Sequence, residues 1–80
     1  MALYSVKTKL STEDVMAKAN AFFSGQWGLE VRDPEPCCVS FFGGGGHVAV
    51  RVSNEGKQTE VELETREWDR QVQQFMHEIA

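Results

Sequence analysis

Residues 37–65 read CCVSFFGGGGHVAVRVSNEGKQTEVELET, and this stretch decides the fold. Val48, Val50 and Val52 alternate with small or polar neighbours; Val61 and Leu63 alternate with Glu60, Glu62 and Glu64. A period of two marks a strand with one buried face. Residues 37–42 form a third, more apolar run. Gly43, Gly44, Gly45 and Gly46 separate the first run from the second, and Asn54-Glu55-Gly56-Lys57 separates the second from the third. Short turn signals between strands predict antiparallel hairpins, so a three-strand meander is expected.

The buried residues suggest a register. A four-residue turn at 54–57 pairs Ser53 with Gln58, which sets Arg51 opposite Glu60, Ala49 opposite Glu62 and His47 opposite Glu64. Closure by the four glycines pairs Phe42 with His47, Ser40 with Ala49 and Cys38 with Arg51. One sheet face then carries Cys38, Ser40, Phe42, His47, Ala49, Arg51 and the three glutamates.

Working outward from the meander, residues 3–10 alternate as a further strand. Ser11 precedes Thr12-Glu13-Asp14 as a helix cap, and Val15, Met16, Ala19, Phe22 and Phe23 follow at helical spacing. A helix over 12–24 is predicted, ended by Gly25. Leu29-Glu30-Val31 offers a short strand before the prolines at 34 and 36. At the other end, Trp68, Val72, Phe75, Met76 and Ile79 form an amphipathic stripe, with Thr65 as the candidate cap. The expected fold class is α+β. It is a single-domain two-layer sandwich over 1–80, with an antiparallel sheet of about four strands and two helices on one face. The element order is β-α-(β)-β-β-β-α, and nothing is left to cover the second sheet face.

Composition narrows the function. Eight Lys and Arg face twelve Asp and Glu in 80 residues, a net charge of −4, and the positive residues are scattered. Phosphate backbones and anionic lipids both need clustered positive charge, so neither nucleic acid nor membrane is an expected partner. No apolar run reaches the length of a membrane helix, and Lys7 and Lys9 interrupt any signal-peptide pattern, so a cytoplasmic location is expected. The two cysteines, Cys37 and Cys38, are adjacent and cannot build a disulfide framework. Cys37 reads as a small core residue and Cys38 as a thiol on the open face; a reducing compartment disfavours a ring between them.

No catalytic set emerges. His47 with a nearby glutamate lacks a nucleophile, and a Cys38–His47–Glu64 metal site lacks paired ligand spacing. No cofactor and no metal are expected. The four glycines lack the Lys-Ser/Thr and the following helix of a phosphate loop. The leading expectation is therefore a non-enzymatic interaction module, a homodimer or small subunit. It would bind through the open face at Cys38, Ser40, Phe42 and Ala49. The alternative is a small-ligand or anion site, using the amides of Gly43, Gly44, Gly45 and Gly46 with Phe42, His47 and Arg51.

Overall fold

The computed structural model describes residues 1–80 as an α+β sandwich of one sheet and one helical layer. Five strands form the sheet: β1 (Ala2–Thr8), β2 (Glu30–Arg32), β3 (Cys38–Gly43), β4 (Gly46–Glu55) and β5 (Gln58–Arg66). Their spatial order is β1-β5-β4-β3-β2, and every neighbouring pair is antiparallel. Sequence reasoning counted about four strands; Glu30–Arg32 pairs with Phe42, Phe41 and Ser40 and makes a fifth. The two strands that precede the meander flank it on opposite sides, β1 beside β5 and β2 beside β3.

Helix α1 (Thr12–Ala19) starts where the Ser11 hydroxyl accepts the Asp14 amide at 3.1 Å, as the capping pattern predicts. The helix does not stop at Gly25. It continues as a π-helical segment, Asn20–Gln26, and the left-handed residue is Gly28 (φ 71°). Helix α2 spans Asp69–Ile79. Thr65 does not cap it: Thr65 is a fully buried residue of β5, and its hydroxyl donates to the His47 carbonyl at 2.9 Å. The strand runs on to Arg66 because the alternation continues through Thr65, and Glu67, at φ 75°, then turns the chain into α2.

Both helices cover the same sheet face. Phe23 is fully buried at the centre of this layer. Its ring centroid lies 5.0 Å from Phe22, 5.2 Å from Phe75 of α2 and 5.3 Å from Phe41 of β3. Aromatic pairs at such separations hold three elements together beyond the burial of their area. Val48, Val50, Val61 and Leu63 complete the floor of the core, and Val15, Val72 and Ile79 its roof. The buried threonines of the inner face are all satisfied: Thr8 donates to the Ile79 carbonyl and Thr59 to the Leu10 carbonyl.

The β4–β5 register differs from the expected one by two residues. The turn has two residues, Gly56 and Lys57, not four, so Glu55 pairs with Gln58 and Arg51 with Glu62. Gly56 takes φ 66° at the first turn position, a conformation that fits a two-residue hairpin and suits glycine there. The shorter turn adds ladder pairs at Glu55–Gln58 and Asn54–Thr59 that the longer turn leaves unmade. Because the shift is even, every side chain keeps its face.

Candidate functional site

The sheet face away from the helices has no covering element, and its residues lie in cross-strand rows. One row runs Glu30, Phe42, His47, Arg66; the next runs Arg32, Ser40, Ala49, Glu64, Leu3; a third contains Cys38, Arg51, Glu62 and Ser5. The structure thus brings Cys38, Ser40, Phe42, His47, Ala49 and Arg51 onto one surface. It gives His47 and Arg51 new direct neighbours: Arg66 replaces Glu64 opposite His47, and Glu62 replaces Glu60 opposite Arg51.

Phe42 is the organising side chain. The Arg32 guanidinium stands 4.3 Å above its ring centroid, and the His47 ring stacks on its neighbouring side at 5.7 Å. Phe42 and His47 form a non-hydrogen-bonded pair next to a two-residue turn, the position at which opposed side chains approach most closely. Two ion pairs flank it, Arg32 with Glu30 at 3.1 Å and Arg51 with Glu62 at 3.5 Å, and His47 Nε2 lies diagonally 3.8 Å from a Glu64 carboxylate oxygen. Exposed pairs of this kind contribute little to stability. They do fix where charge of each sign sits on the face. Between the rows lies an open depression of about 550 Å³, with Leu3, Ser40, Ala49 and Glu64 among its lining. Leu3 is 72% exposed. Sequence reasoning did not place Leu3 on this face, because the alternation of one strand does not say which strand it joins. Arg32 was missed for the same reason.

The four glycines pack against their own chain. Gly44 and Gly45, at φ 58° and 80°, form a two-residue turn whose two positive φ angles match the right-handed twist of the flanking strands. Gly43 and Gly46 are strand residues paired with each other. A Cβ on Gly43 would lie 2.6 Å from Leu29 Cδ2, and one on Gly44 would lie 2.9 Å from the Trp68 ring; one on Gly46 would collide with the Arg66 carbonyl oxygen. Trp68 Nε1 also donates to the Gly43 carbonyl at 2.9 Å, tying the hairpin to the start of α2. These contacts account for Gly43, Gly44 and Gly46 without a ligand.

Cys37 and Cys38 are joined to each other in a disulfide, which corrects the expectation of two thiols. Cys37 is exposed, not buried in the core, because it precedes β3 in a tight turn. Reciprocal backbone bonds between Glu35 and Cys38, at 2.8 and 3.2 Å, close that turn around Pro36 and Cys37.

Apart from the open face, Tyr4 faces the helical layer, where its hydroxyl donates to Asp69 Oδ2 at 2.8 Å and accepts from Gln73 Nε2 at 3.3 Å. The bond to the Asp69 carboxylate raises the phenol above its ordinary range.

No protein-family model matches this chain, and no curated protein matches it. No helix is long and apolar enough to cross a membrane.

Proposed function

We propose that this protein is a non-enzymatic interaction module that forms a homodimer by packing its open sheet face against the same face of a second copy. The observation that carries this reading is the self-complementary placement of charge about β4, the middle strand of the five. On the β5 side, Arg66 and Glu64 occupy two adjacent rows; on the β2 side, Glu30 and Arg32 occupy the same two rows with the signs reversed. A two-fold axis parallel to β4 brings Glu64 towards Arg32 of the copy and Arg66 towards Glu30 and Phe42 of the copy. An axis perpendicular to the strands instead stacks the glutamates of β5 on themselves. Like charges so placed are unfavourable along the whole of β5. The first arrangement leaves one like pair, Arg51 on the axis, whose charge is already met by Glu62 at 3.5 Å, so the first arrangement is the one favoured.

The apolar centre of this contact is Ala49 on the axis, with Phe42 and Leu3 on either side. Five strands at about 4.8 Å spacing, with about seven residues each at about 3.3 Å, give a face of about 450 Å² per copy. That area lies at the low end for specific assemblies, so the dimer is weak and concentration-dependent. The isolated copy is already as compact as a monomer of its size. Its accessible surface is 4946 Å², and a compact monomer of 9.0 kDa exposes about 4,900 Å².

Analytical ultracentrifugation over a wide concentration range tests the reading. The wild type is expected to dissociate on dilution, and Phe42→Glu to remain monomeric throughout with an unchanged far-ultraviolet spectrum and a melting temperature equal to that of the diluted, dissociated wild type. A wild type that is monomeric at the highest concentration, or a dimer indifferent to Phe42→Glu, refutes it.

A further inference from the structure

We propose that Cys37 and Cys38 are a reversible dithiol–disulfide pair, a modification site whose exchange partner is a dithiol reductant. Attack falls on the sulfur of Cys37, and Cys38 is the leaving group. Three features of the fold carry this. First, the pair is accessible: Cys37 is exposed and Cys38 half-buried at the end of β3. Exposed disulfides are the labile ones, whereas structural ones are sheltered. Second, the backbone around the pair is held without the sulfurs. The Glu35–Cys38 bonds close the turn, and Val52 N–H donates to the Cys37 carbonyl at 2.9 Å, continuing the β3–β4 ladder by one pair. The bond can therefore open and close with little disturbance of the sheet.

Third, the two sulfurs differ in surroundings. Cys38 is the cross-strand partner of Arg51. Counting from the Gly43–Gly46 turn, and consistent with the bond from Val52 to Cys37, this is a non-hydrogen-bonded pair, in which opposed side chains lie close together. The Arg51 guanidinium also meets Glu62 at 3.5 Å on its other side, and it is the cation of the Cys38 row, so it favours a thiolate at Cys38 over one at Cys37. Glu35, whose carboxylate lies within 4.8 Å of both sulfurs, opposes thiolate formation at either one, so Arg51 is what separates them.

The steps balance. One thiolate of the reductant bonds to Cys37 Sγ, the Cys37–Cys38 bond breaks, and its electron pair leaves with Cys38 as a thiolate that takes a proton from water. The second thiolate of the reductant then attacks the reductant sulfur in the mixed disulfide. Cys37 leaves as a thiolate and is protonated. Two electrons have passed to the protein, and the reductant has become a disulfide.

The test uses the full chain, alkylation and intact-mass measurement, and does not depend on assembly state. Protein purified without reductant is expected to be two hydrogens lighter than the reduced chain and to take no alkyl label. After dithiothreitol it should take two labels and keep its far-ultraviolet spectrum, and dilution into oxidised glutathione should restore the lighter form. Arg51→Gln, on an exposed side chain, should slow reduction several-fold at neutral pH without changing the fold. Among single mutants, Cys37→Ser should form a glutathione adduct at Cys38 faster than Cys38→Ser does at Cys37, because the thiol beside Arg51 is the more readily ionised attacker. Protein that takes two labels without reduction and gains only glutathione adducts on oxidation overturns the pair. Unchanged reduction in Arg51→Gln, or the reverse order of adduct formation, overturns the assignment of Cys37 as the attacked sulfur.

Discussion

Alanine at Gly46 should destabilise the protein far more than alanine at Gly45, although the two residues are adjacent in one hairpin. At Gly45 nothing lies within 4 Å of an added Cβ, but φ is 80°. An L residue in that region costs about 1–2 kcal/mol. Loss of glycine's freedom in the unfolded chain offsets about 0.4–1 kcal/mol of this, leaving a net cost of about 1 kcal/mol. At Gly46 the backbone is not left-handed, so the first cost is absent. The added Cβ instead meets the Arg66 carbonyl oxygen, with Glu67 Cβ at 2.8 Å and the Arg66 carbonyl carbon at 2.9 Å. These atoms belong to the end of β5 and the turn into α2, and no side-chain rotation relieves the collision.

The strand must move or the hairpin must open. Overpacking costs about 1–3 kcal/mol, occasionally more, and here backbone resists, so about 3 kcal/mol is expected. For a domain of this size that is about 12–24 °C in melting temperature, against about 4–8 °C for Gly45→Ala. Chemical denaturation of both variants, followed by circular dichroism, reads the difference. If Gly46→Ala is as stable as Gly45→Ala, the close packing of the hairpin on β5 is wrong, and the glycines need another explanation.

Two further predictions concern the elements around the core. The Tyr4 phenol is raised in the folded state by its bond to Asp69, so its contribution is complete below the unfolded value of about 10 and is lost as pH rises through the folded value. Wild-type stability should therefore fall at alkaline pH by more than that of Tyr4→Phe, and parallel pH–stability curves from urea titrations would remove the role given to that hydroxyl. Ser11→Ala removes the side-chain acceptor of the Asp14 amide and should cost about 1 kcal/mol at equilibrium; a change within error would mean that water replaces the cap fully.

The differences between expectation and structure have a common pattern. Alternation in β4 and β5 placed Val48, Val50, Val61 and Leu63 in the core, and the structure buries all four. The same alternation could not settle which glutamate faces Arg51, because both candidate turns preserve the faces. The two-residue turn at Gly56-Lys57 selects Glu62. Helix ends behaved similarly. Ser11 was legible because a cap is a local hydrogen bond, while Thr65 was misread because a threonine before a helix and a threonine at a strand end look alike in sequence. Its burial against His47 decides between them.

What the amino-acid order determined by itself is the set of local periods: an amphipathic helix at each side of a meander, hairpins at its turns, and one sheet face left with Cys38, Ser40, Phe42, His47, Ala49 and Arg51. Each of these depends on interactions within a few residues, where side-chain type and spacing are sufficient. Only the tertiary structure decided that β1 lies beside β5, that Leu3 and Arg32 join the open face, that Trp68 and Arg66 close over the glycines, and that the two cysteines are bonded. Most of those contacts join segments far apart in the chain, and the sulfur bond, though local, depends on a turn closed by backbone bonds. Such pairings are chosen by which arrangement buries the common core without loss of backbone hydrogen bonds, a condition on the whole chain that no short stretch expresses.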